Sequence, residues 1–307
     1  MNHHKLIIIG SGPAGLTAAL YAARAELKPL VLAGLTFGGQ LMTTTEVENY
    51  PGFPKGVQGP ELMQKMIEQA ERFGAQIVYE DVSKVDFKKK PFFLDTGQNQ
   101  YSADCVIIAT GASYKWLDIP SEQKLRGHGI SACATCDGFF FKDQEIVVVG
   151  GGDAAMEEAT YLTKFALKVN ILNRTEILRA SKIMQDRARQ NPKITVEYNK
   201  TVEEFLGDDK LTGVKIRDVK TNQVEERKIG GAFIAIGHKP ATDAFVGQVD
   251  LDEKGFVKVF DQTKTSVTGV FVAGDVHDHR YRQAVTAAGM GCMAALDAEK
   301  YLGMDQG

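Results

Sequence analysis

The chain carries two glycine-rich turns, each between an apolar run and a helical pattern. The first, Gly10-Ser11-Gly12-Pro13-Ala14-Gly15, follows the apolar run 6–9, and the second, Gly150-Gly151-Gly152-Asp153-Ala154-Ala155, follows the apolar run 146–149. This order forms a βαβ unit that binds a dinucleotide, because glycines let backbone N–H groups approach a pyrophosphate at a helix N-terminus. The sequence therefore predicts an α/β fold with two Rossmann-like nucleotide-binding domains.

The second half of the chain repeats the element pattern of the first. A helical pattern follows each glycine-rich turn, at 15–25 and at 154–165, and a short strand comes next. Each half also ends in an apolar strand that runs into a glycine, Gly111 in the first half and Gly237 in the second. Internal similarity of this kind indicates two related domains, and 307 residues are enough for both.

A last strand and helix, predicted at 269–275 and 283–302, complete the chain, and a further helix is predicted at 61–73. We assign the last strand and helix to the first domain, so that the second domain is an insertion joined by two linkers. The expected domains are 1–114 with 242–307, and 115–241.

Two cysteines separated by two residues, Cys133 and Cys136, lie just before the second turn and are followed by Asp137. A thiolate is the nucleophile in disulfide exchange, and a second cysteine two residues on can resolve the mixed disulfide. Asp137 could shuttle the proton. Zinc is the alternative, but a structural zinc site needs four ligands, and Cys105 and Cys292 provide no second pair. We therefore expect a redox-active dithiol and no metal site.

Cys105 and Cys292 are expected to be small buried hydrophobic residues, since four cysteines in a chain of this length do not make a disulfide framework. The aromatic run 139–141 follows the dithiol directly. Burial in the core is the default for such a run. If it is exposed, it would be a docking patch for a protein disulfide.

The strand after each turn indicates which nucleotide binds. The second unit reaches Asn173 and Arg174, with Arg179 following, and it lacks the carboxylate of an NAD site. Guanidinium groups suit a 2′-phosphate, so this unit favours NADP, although both arginines could be ordinary surface residues. The first unit also lacks the acid, and Asp275, which follows an apolar strand, favours a flavin because it could accept a hydrogen bond from a ribityl hydroxyl.

The net charge of −3 and the lack of a basic stripe argue against nucleic acid or an anionic membrane as the main partner. The N-terminal apolar run, 6–9, is too short for a signal peptide or a membrane span. We therefore expect a cytoplasmic protein without a membrane partner.

Further motifs accompany the dithiol. They are Gly38-Gly39-Gln40-Leu41, Thr44-Thr45-Glu46-Val47-Glu48-Asn49, Ala109-Thr110-Gly111-Ala112, Gly237-His238-Lys239-Pro240, and Gly274-Asp275 followed by Tyr281-Arg282-Gln283-Ala284. With these motifs the chain closely resembles the low-molecular-weight, bacterial-type thioredoxin reductases over essentially its whole length. The resemblance implies three-layer ββα domains of the pyridine nucleotide-disulfide oxidoreductase type, in a homodimer with one FAD per subunit. It implies that electrons pass from NADPH to flavin, then to the disulfide, and then to thioredoxin.

The resemblance also assigns roles to residues. Cys136 would face the flavin, Cys133 would attack thioredoxin, and Asp137 would act as acid and base. Asn49 would lie near the flavin ring and Asp275 on the ribityl chain. The residues expected to contact FAD are Gly10, Gly12, Pro13, Ala14, Gly15, Ala33, Gly34, Gly38, Gly39, Gln40, Leu41, Asn49, Thr110, Gly111, Gly274, Asp275, Arg282, Gln283 and Ala284. The residues expected to contact NADPH are Gly150, Gly152, Asp153, Ala154, Ala155, Glu158, Arg174, Arg179, Ile236 and Gly237.

A disulfide resting on the flavin cannot touch a protein substrate. The resemblance therefore implies that the NADPH domain rotates relative to the FAD domain about the two linkers.

The chain departs from this family at one place. Family members commonly read His-Arg-Arg after the second unit's strand, whereas this chain reads Asn173-Arg174-Thr175. Loss of a charge-assisted phosphate contact could cost about 1–3 kcal/mol. We therefore expect that NADPH is still preferred over NADH, but by a smaller margin than usual.

Other functions remain open at this point. A related flavoprotein disulfide reductase could use NADH or ferredoxin as electron donor, or another protein as acceptor. A flavin- or nucleotide-binding sensor without turnover could use the dithiol as a switch.

Overall fold

The computed structural model describes residues 2–44 and 46–304. Within them the chain forms two compact units. Unit 1 contains the described residues up to Ser113 and from Lys239 onward, and unit 2 is Tyr114–His238. Thr45, which belongs to one of the motifs above, lies outside the described residues.

The helices, in chain order, are α1 (Pro13–Arg24), α2 (Gly59–Arg72), α3 (Pro120–Leu125), α4 (Ala134–Asp137), α5 (Asp153–Leu162), α6 (Lys182–Gln190) and α7 (Ala284–Met304). Short 3-10 segments span Gly39–Thr43, Gly138–Phe141 and Asp243–Phe245. The strands are β1 (Asn2–Ile9), β2 (Leu30–Leu32), β3 (Glu46–Val47), β4 (Val57–Gln58), β5 (Gln76–Val78), β6 (Lys84–Asp86), β7 (Phe92–Asp95), β8 (Gln100–Ile108), β9 (Ala112–Tyr114), β10 (Ile130–Ser131), β11 (Glu145–Val149), β12 (Lys168–Asn173), β13 (Ile194–Tyr198), β14 (Lys200–Leu206), β15 (Gly213–Asp218), β16 (Val224–Lys228), β17 (Gly231–Ile234), β18 (His238–Pro240) and β19 (Val270–Val272).

Unit 1 is built on a sheet with the order β5-β2-β1-β8-β7-β6. β1, β2, β5, β8 and β19 run parallel, with Ile8 paired to Val31 and Ile107. The second edge of β8 is shared, because antiparallel β7 pairs with its start and parallel β19 with its end. The last strand and helix therefore belong to unit 1, and β19 adds to the same sheet as β1.

The two faces of β1 are buried against different layers. Leu6 and Ile8 belong to a core cluster with the alanines of α1 and α7. Ile7 and Ile9 belong to a second cluster with apolar residues of the β6–β7 hairpin and of segment 245–257. Burial on both faces explains why the strand is a continuous apolar run, as is typical of parallel sheets.

Unit 2 repeats this arrangement. Its parallel sheet has the order β10-β17-β11-β12-β13, and an antiparallel meander, β14-β15-β16, forms a separate sheet. On β11, Ile146 and Val148 pack in a cluster with α5, while Val147 and Val149 share a cluster with residues of β14 and β15. Helices, parallel sheet and meander are thus three layers, and the predicted α/β fold with Rossmann-like ββα domains is confirmed.

Several predicted boundaries differ from the structure by a few residues. α1 begins at Pro13 and α2 at Gly59, two residues earlier than predicted in both cases, and each has a proline in its first turn. The proline ring sets φ near the helical value and lacks an N–H, so it suits this position. The segment between β2 and α2 contains the 3-10 turn Gly39–Thr43 and the β3–β4 pair.

The remaining cysteines differ from each other. Cys105 on β8 is fully buried, as predicted, and burial raises the pKa of its thiol. Cys292 on α7 is only half-buried and hydrogen-bonds the Tyr21 side chain of α1, so the prediction of a buried residue was wrong there.

No described helix combines the length and the hydrophobicity that a membrane crossing needs. Residues 2–44 and 46–304 also contain no cluster of three or more His, Cys, Asp or Glu side chains placed to hold a metal ion.

Candidate active site

Cys133 and Cys136 form a disulfide, with their Cα atoms 5.3 Å apart. Cys133 is the N-cap residue of the short helix α4, and its carbonyl oxygen accepts the N–H groups of Cys136 and Asp137 at 3.2 and 3.1 Å. The single turn of helix brings the second sulfur back to the first. Cys136 is exposed and Cys133 half-buried.

Ser131 organises the residues on either side of this disulfide. It ends β10, which pairs in parallel with β17, and its Oγ accepts the N–H of Cys133 at 3.0 Å. Its side chain also hydrogen-bonds the carboxyl group of Asp137. Ser131 is not among the residues predicted from the sequence. Its signal is a hydroxyl residue two positions before the first cysteine.

Asp137 is a half-buried carboxyl group directly after the second cysteine. Burial raises its pKa, and the hydrogen bond with Ser131 acts in the opposite direction. Desolvation penalises the ionised form, so this carboxyl can hold a proton nearer to neutral pH than an exposed aspartate. A group with that property can donate and accept protons during thiol exchange.

The aromatic run after the disulfide is divided between surface and core. Phe139 and Phe140 are 62% and 47% exposed, whereas Phe141 is buried beside Phe233. Phe139 packs edge-on against Phe165 at a centroid distance of 6.1 Å. The core interpretation therefore holds for Phe141, and the two preceding rings form an exposed aromatic patch.

In unit 1, the first glycine-rich turn has no room for side chains at Gly10 and Gly15. A Cβ at Gly10 would lie 2.3 Å from the carbonyl oxygen of Ala109. A Cβ at Gly15 would lie 2.0 Å from the carbonyl oxygen of Gly10. At Gly12, the N-cap of α1, a Cβ would have open space within 4 Å, and no side chain caps the helix. The helix N-terminus therefore presents open backbone, which is suited to an anionic ligand.

Ser11 connects this turn to the next two predicted contact segments. Its Oγ donates to the carbonyl oxygen of Ala33 at 2.8 Å and accepts the N–H of Gly38 at 3.0 Å. Gly39 also lies close to the turn, since its Cβ would stand 3.6 Å from the Cα of Gly12. Ser11 occupies a variable position of the glycine motif and is not among the contact residues predicted from the sequence.

Asp275 approaches the same turn from the end of β19. Gly274 packs tightly here, because a Cβ on it would lie 2.8 Å from the Cβ of Ala14. Burial raises the pKa of Asp275 to about 7, the charge of Asp278 adds to the rise, and Arg282 opposes it. The carboxyl group of Asp275 has no hydrogen-bond partner in the described part of the chain. A hydroxyl group of a ligand would supply the donor that the protein does not.

The segment after Asp275 is folded by another carboxylate. Asp278 is buried and accepts the N–H groups of Arg280, Tyr281 and Arg282 at 2.9–3.2 Å. This turn leads into α7, and the side chain of Gln283 accepts a hydrogen bond from Asn49 Nδ2 at 3.2 Å. Two predicted FAD residues separated by 234 positions thus meet.

The other predicted FAD residues hold structural positions in unit 1. Gln40 and Leu41 lie in the 3-10 turn. Gly34 follows β2, and a Cβ added to it would lie 2.8 Å from Asp81 Oδ1. Thr110 Oγ1 donates to the carbonyl oxygen of Ala241 at 2.7 Å. Gly111 follows the end of β8, and Ala284 is the first residue of α7.

In unit 2, the second glycine-rich turn resembles the first. A Cβ at Gly150 would lie 2.3 Å from the carbonyl oxygen of Ala235, and Gly152, the N-cap of α5, has open space and no capping side chain. Asp153, Ala154, Ala155 and Glu158 follow on α5. Ile236 and Gly237 follow β17, where Gly237 accepts the N–H of Lys115 at 2.9 Å.

Arg179 is brought to this turn by backbone hydrogen bonds. The carbonyl oxygen of Gly151 accepts the N–H groups of Arg179 and Ala180 at 2.7 and 3.0 Å, and Asp153 Oδ1 accepts that of Ser181 at 2.7 Å. Arg174 and Arg179 are both exposed. Neither guanidinium group forms an ion pair with another described residue. Two uncompensated cations therefore flank the turn.

Comparisons with known proteins agree with this architecture. The family model "Pyridine nucleotide-disulphide oxidoreductase" matches residues 4–291. A thioredoxin reductase of Rickettsia felis is 57% identical over 97% of this chain and 98% of its own, and one of Mycolicibacterium smegmatis is 56% identical over 97% and 96%.

Solved structures give the same result. The thioredoxin reductase from Giardia duodenalis superposes with a TM-score of 0.95 at 44% identity, covering 99% of this chain and 100% of its own. The one from Streptococcus pyogenes has a TM-score of 0.94 at 43% identity, covering 98% and 99%. The chain belongs to the thioredoxin reductase family, within the pyridine nucleotide-disulphide oxidoreductases.

Proposed function

We propose that the protein is an NADPH-dependent thioredoxin reductase with one FAD per subunit. The observation that carries this proposal is the Cys133–Cys136 disulfide, held beside the half-buried carboxyl group of Asp137. Relatives at this level of identity bear the same name.

The residues of unit 1 fit a flavin dinucleotide. The open N-terminus of α1 at Gly12 suits the pyrophosphate, and the carboxyl group of Asp275 lacks a donor that a ribityl hydroxyl would provide. Asn49 and Gln283, already bonded to each other, would lie beside the ring. We therefore assign FAD to residues 1–114 with 242–307.

The residues of unit 2 fit a phosphorylated dinucleotide. Gly152 leaves the N-terminus of α5 open for the pyrophosphate, while Arg174 and Arg179 offer guanidinium groups for a 2′-phosphate. We therefore assign NADPH to residues 115–241. When bound, NADPH supplies a hydride and FAD the ring system through which its two electrons reach the disulfide.

The reduced cysteines would then act in two exchange steps. The Cys133 thiolate attacks one sulfur of the partner's disulfide, so that a mixed disulfide forms, the partner's S–S bond breaks, and the leaving thiolate takes a proton from Asp137. The Asp137 carboxylate next takes the proton of Cys136, and the Cys136 thiolate attacks Cys133 Sγ. The internal disulfide re-forms, the mixed disulfide breaks, and the partner's second thiolate leaves with the proton returned from Asp137. Two electrons end on the partner, which leaves as a dithiol.

Phe139 and Phe140 would form part of the surface that contacts thioredoxin. They lie within four residues of Cys136 and expose large apolar rings, and such exposure near a reactive group marks an interaction site. The same dithiol must serve the flavin and a protein substrate in turn, so the proposal includes rotation of unit 2 about the two chain crossings. It also includes a homodimer in the cytoplasm, a compartment that keeps thiols reduced.

An anaerobic titration tests the proposal. NADPH should bleach the flavin absorbance, and added thioredoxin should then support reduction of an artificial disulfide. Cys136→Ser should abolish the second reaction and leave the first intact. Flavin reduction without any thioredoxin-dependent turnover would indicate a sensor, and bleaching by NADH or reduced ferredoxin alone would indicate another donor.

A further inference from the structure

Asn173 ends the buried strand β12, directly before Arg174. Its side chain is 6% exposed. Its Nδ2 donates to the carbonyl oxygens of Thr175 and Ile177 at 2.8 and 3.2 Å and contacts Thr175 Oγ1 at 3.2 Å. Because all three neighbours offer oxygen atoms, the amide nitrogen must be the atom that faces the loop. One side chain thus closes the loop that carries Arg174.

Thr175 strengthens the same closure. Its Oγ1 donates to the carbonyl oxygen of Ile177 at 2.8 Å. Leu178, the next residue, is buried in the core cluster of α5 and anchors the far end of the loop. The side chains of Asn173 and Thr175 therefore both form hydrogen bonds within the loop.

The loop is also fastened to the glycine-rich turn. The oxygen of the Asn173 amide fills the space beside Gly151, since a Cβ on that glycine would lie 2.1 Å from Oδ1. Gly151 in turn accepts the N–H groups of Arg179 and Ala180. The Asn173 side chain thus packs in the space that only a glycine at 151 leaves free. Together these two residues fix the position of the backbone that carries Arg174 and Arg179.

The charges around the loop leave the arginines available to an anion. Glu176, a carboxylate of the loop itself, is ion-paired with Lys220. Asp153 accepts the N–H of Ser181. A phosphate monoester carries up to two negative charges, and two guanidinium groups on an ordered backbone match it with less loss of conformational freedom than on a mobile loop.

We propose that Asn173 is a positioning residue for recognition of a 2′-phosphorylated nucleotide, because its side chain orders the loop that carries Arg174 and Arg179. This inference rests on the proposed function of unit 2 as the NADPH-binding domain. It predicts that selectivity for the 2′-phosphate depends on a neutral amide that does not touch the phosphate.

The test compares the binding of adenosine 2′,5′-bisphosphate and of AMP to the full-length holoprotein by titration calorimetry. Asn173→Ala should weaken bisphosphate binding about tenfold, as expected for the loss of two or so hydrogen bonds, and change AMP binding less than about twofold. Asn170→Ala is the matched control, because Asn170 is a buried asparagine on the same strand whose Nδ2 has no partner among the described residues. Asn170→Ala should change the affinities for the bisphosphate and for AMP by the same factor or not at all.

Four outcomes would overturn the inference. Equal weakening of both nucleotides in Asn173→Ala, or no weakening of either, would leave Asn173 with a structural role alone and would not affect the proposed enzyme. A selective loss in Asn170→Ala of the same size would show that any damage to β12 has this effect. If the wild-type protein bound both nucleotides equally, the inference and the NADPH preference would fail together.

Discussion

Ser131 accepts the backbone N–H of Cys133 at 3.0 Å and hydrogen-bonds the carboxyl group of Asp137 with the same side chain. One hydroxyl group therefore connects the first cysteine of the disulfide to the acid beside the second. Because Ser131 is itself held in β10 by pairing with β17, the position of both groups depends on the parallel sheet of unit 2. The redox chemistry and the fold are coupled at this residue.

Replacement of Ser131 by alanine should raise the pKa of Asp137, because the hydrogen bond from Ser131 stabilises the carboxylate. The limb of the pH–rate profile that reports Asp137 should move to higher pH, and thioredoxin reduction at neutral pH should change by less than about tenfold. Steady-state rates across the pH range measure this. Ser131→Thr keeps the hydroxyl group and should keep the wild-type profile. A profile identical in all three proteins would refute the role of this hydrogen bond.

Replacement of Asp275 by asparagine should alter the pH dependence of stability in the flavin-free protein. The folded-state pKa of about 7 lies above the ordinary value of 3.8, so between these values the folded protein binds more protons than the unfolded chain. The free energy of unfolding therefore falls as pH rises through this window. The asparagine amide cannot ionise, so the variant should not lose this part of its stability as pH rises.

Thermal unfolding of the flavin-free proteins at about pH 5 and about pH 8 checks this. The difference in melting temperature, Asp275→Asn minus wild type, should be larger at about pH 8 than at about pH 5 by at least about 2 °C. This is the shift that corresponds to roughly 1 kcal/mol in a chain of this size. The same variant should bind FAD more weakly. An offset that is equal at both pH values would contradict the assigned pKa.

Replacement of Phe139 and Phe140 by alanine should raise the KM for thioredoxin about tenfold or more, because truncation of exposed aromatic anchors commonly costs about 1–2 kcal/mol or more of binding free energy. Reduction of a small artificial disulfide by the reduced protein should not change. Phe260→Ala is the control, since Phe260 is 63% exposed and lies in unit 1. If it has the same effect on KM, the aromatic patch is not the docking surface.

Replacement of Arg179 by alanine should lower kcat/KM for NADPH about tenfold and leave that for NADH nearly unchanged, because one charge-assisted phosphate contact is lost. The difference should shrink at high salt, which screens exposed charges. Steady-state assays with both nucleotides at two ionic strengths measure this. Arg217→Ala, at a salt-bridged arginine of β15, serves as the control for loss of positive charge. Equal losses for both nucleotides would refute a phosphate contact.

The sequence by itself determined the local elements of this protein. The apolar run of β1 and the glycines at 10 and 15 leave few alternatives, since a Cβ at either glycine would collide with backbone oxygens. The dithiol also followed from local spacing, because a single helical turn brings Cys136 back to Cys133. Such features depend on residues close together in the chain.

Only the tertiary structure decided which distant residues meet. Asn49 reaches Gln283, Gly274 packs on Ala14, and Asn173 fills the space beside Gly151, and none of these contacts has a periodic signal in the sequence. The burial of individual side chains also depends on the tertiary structure. Phe140 and Phe141 are adjacent and chemically identical, yet Phe140 is exposed and Phe141 lies in the core. The physical reason is that strand order and register bring together segments that lie tens to hundreds of positions apart, and the burial that results shifts the pKa values of Asp137 and Asp275.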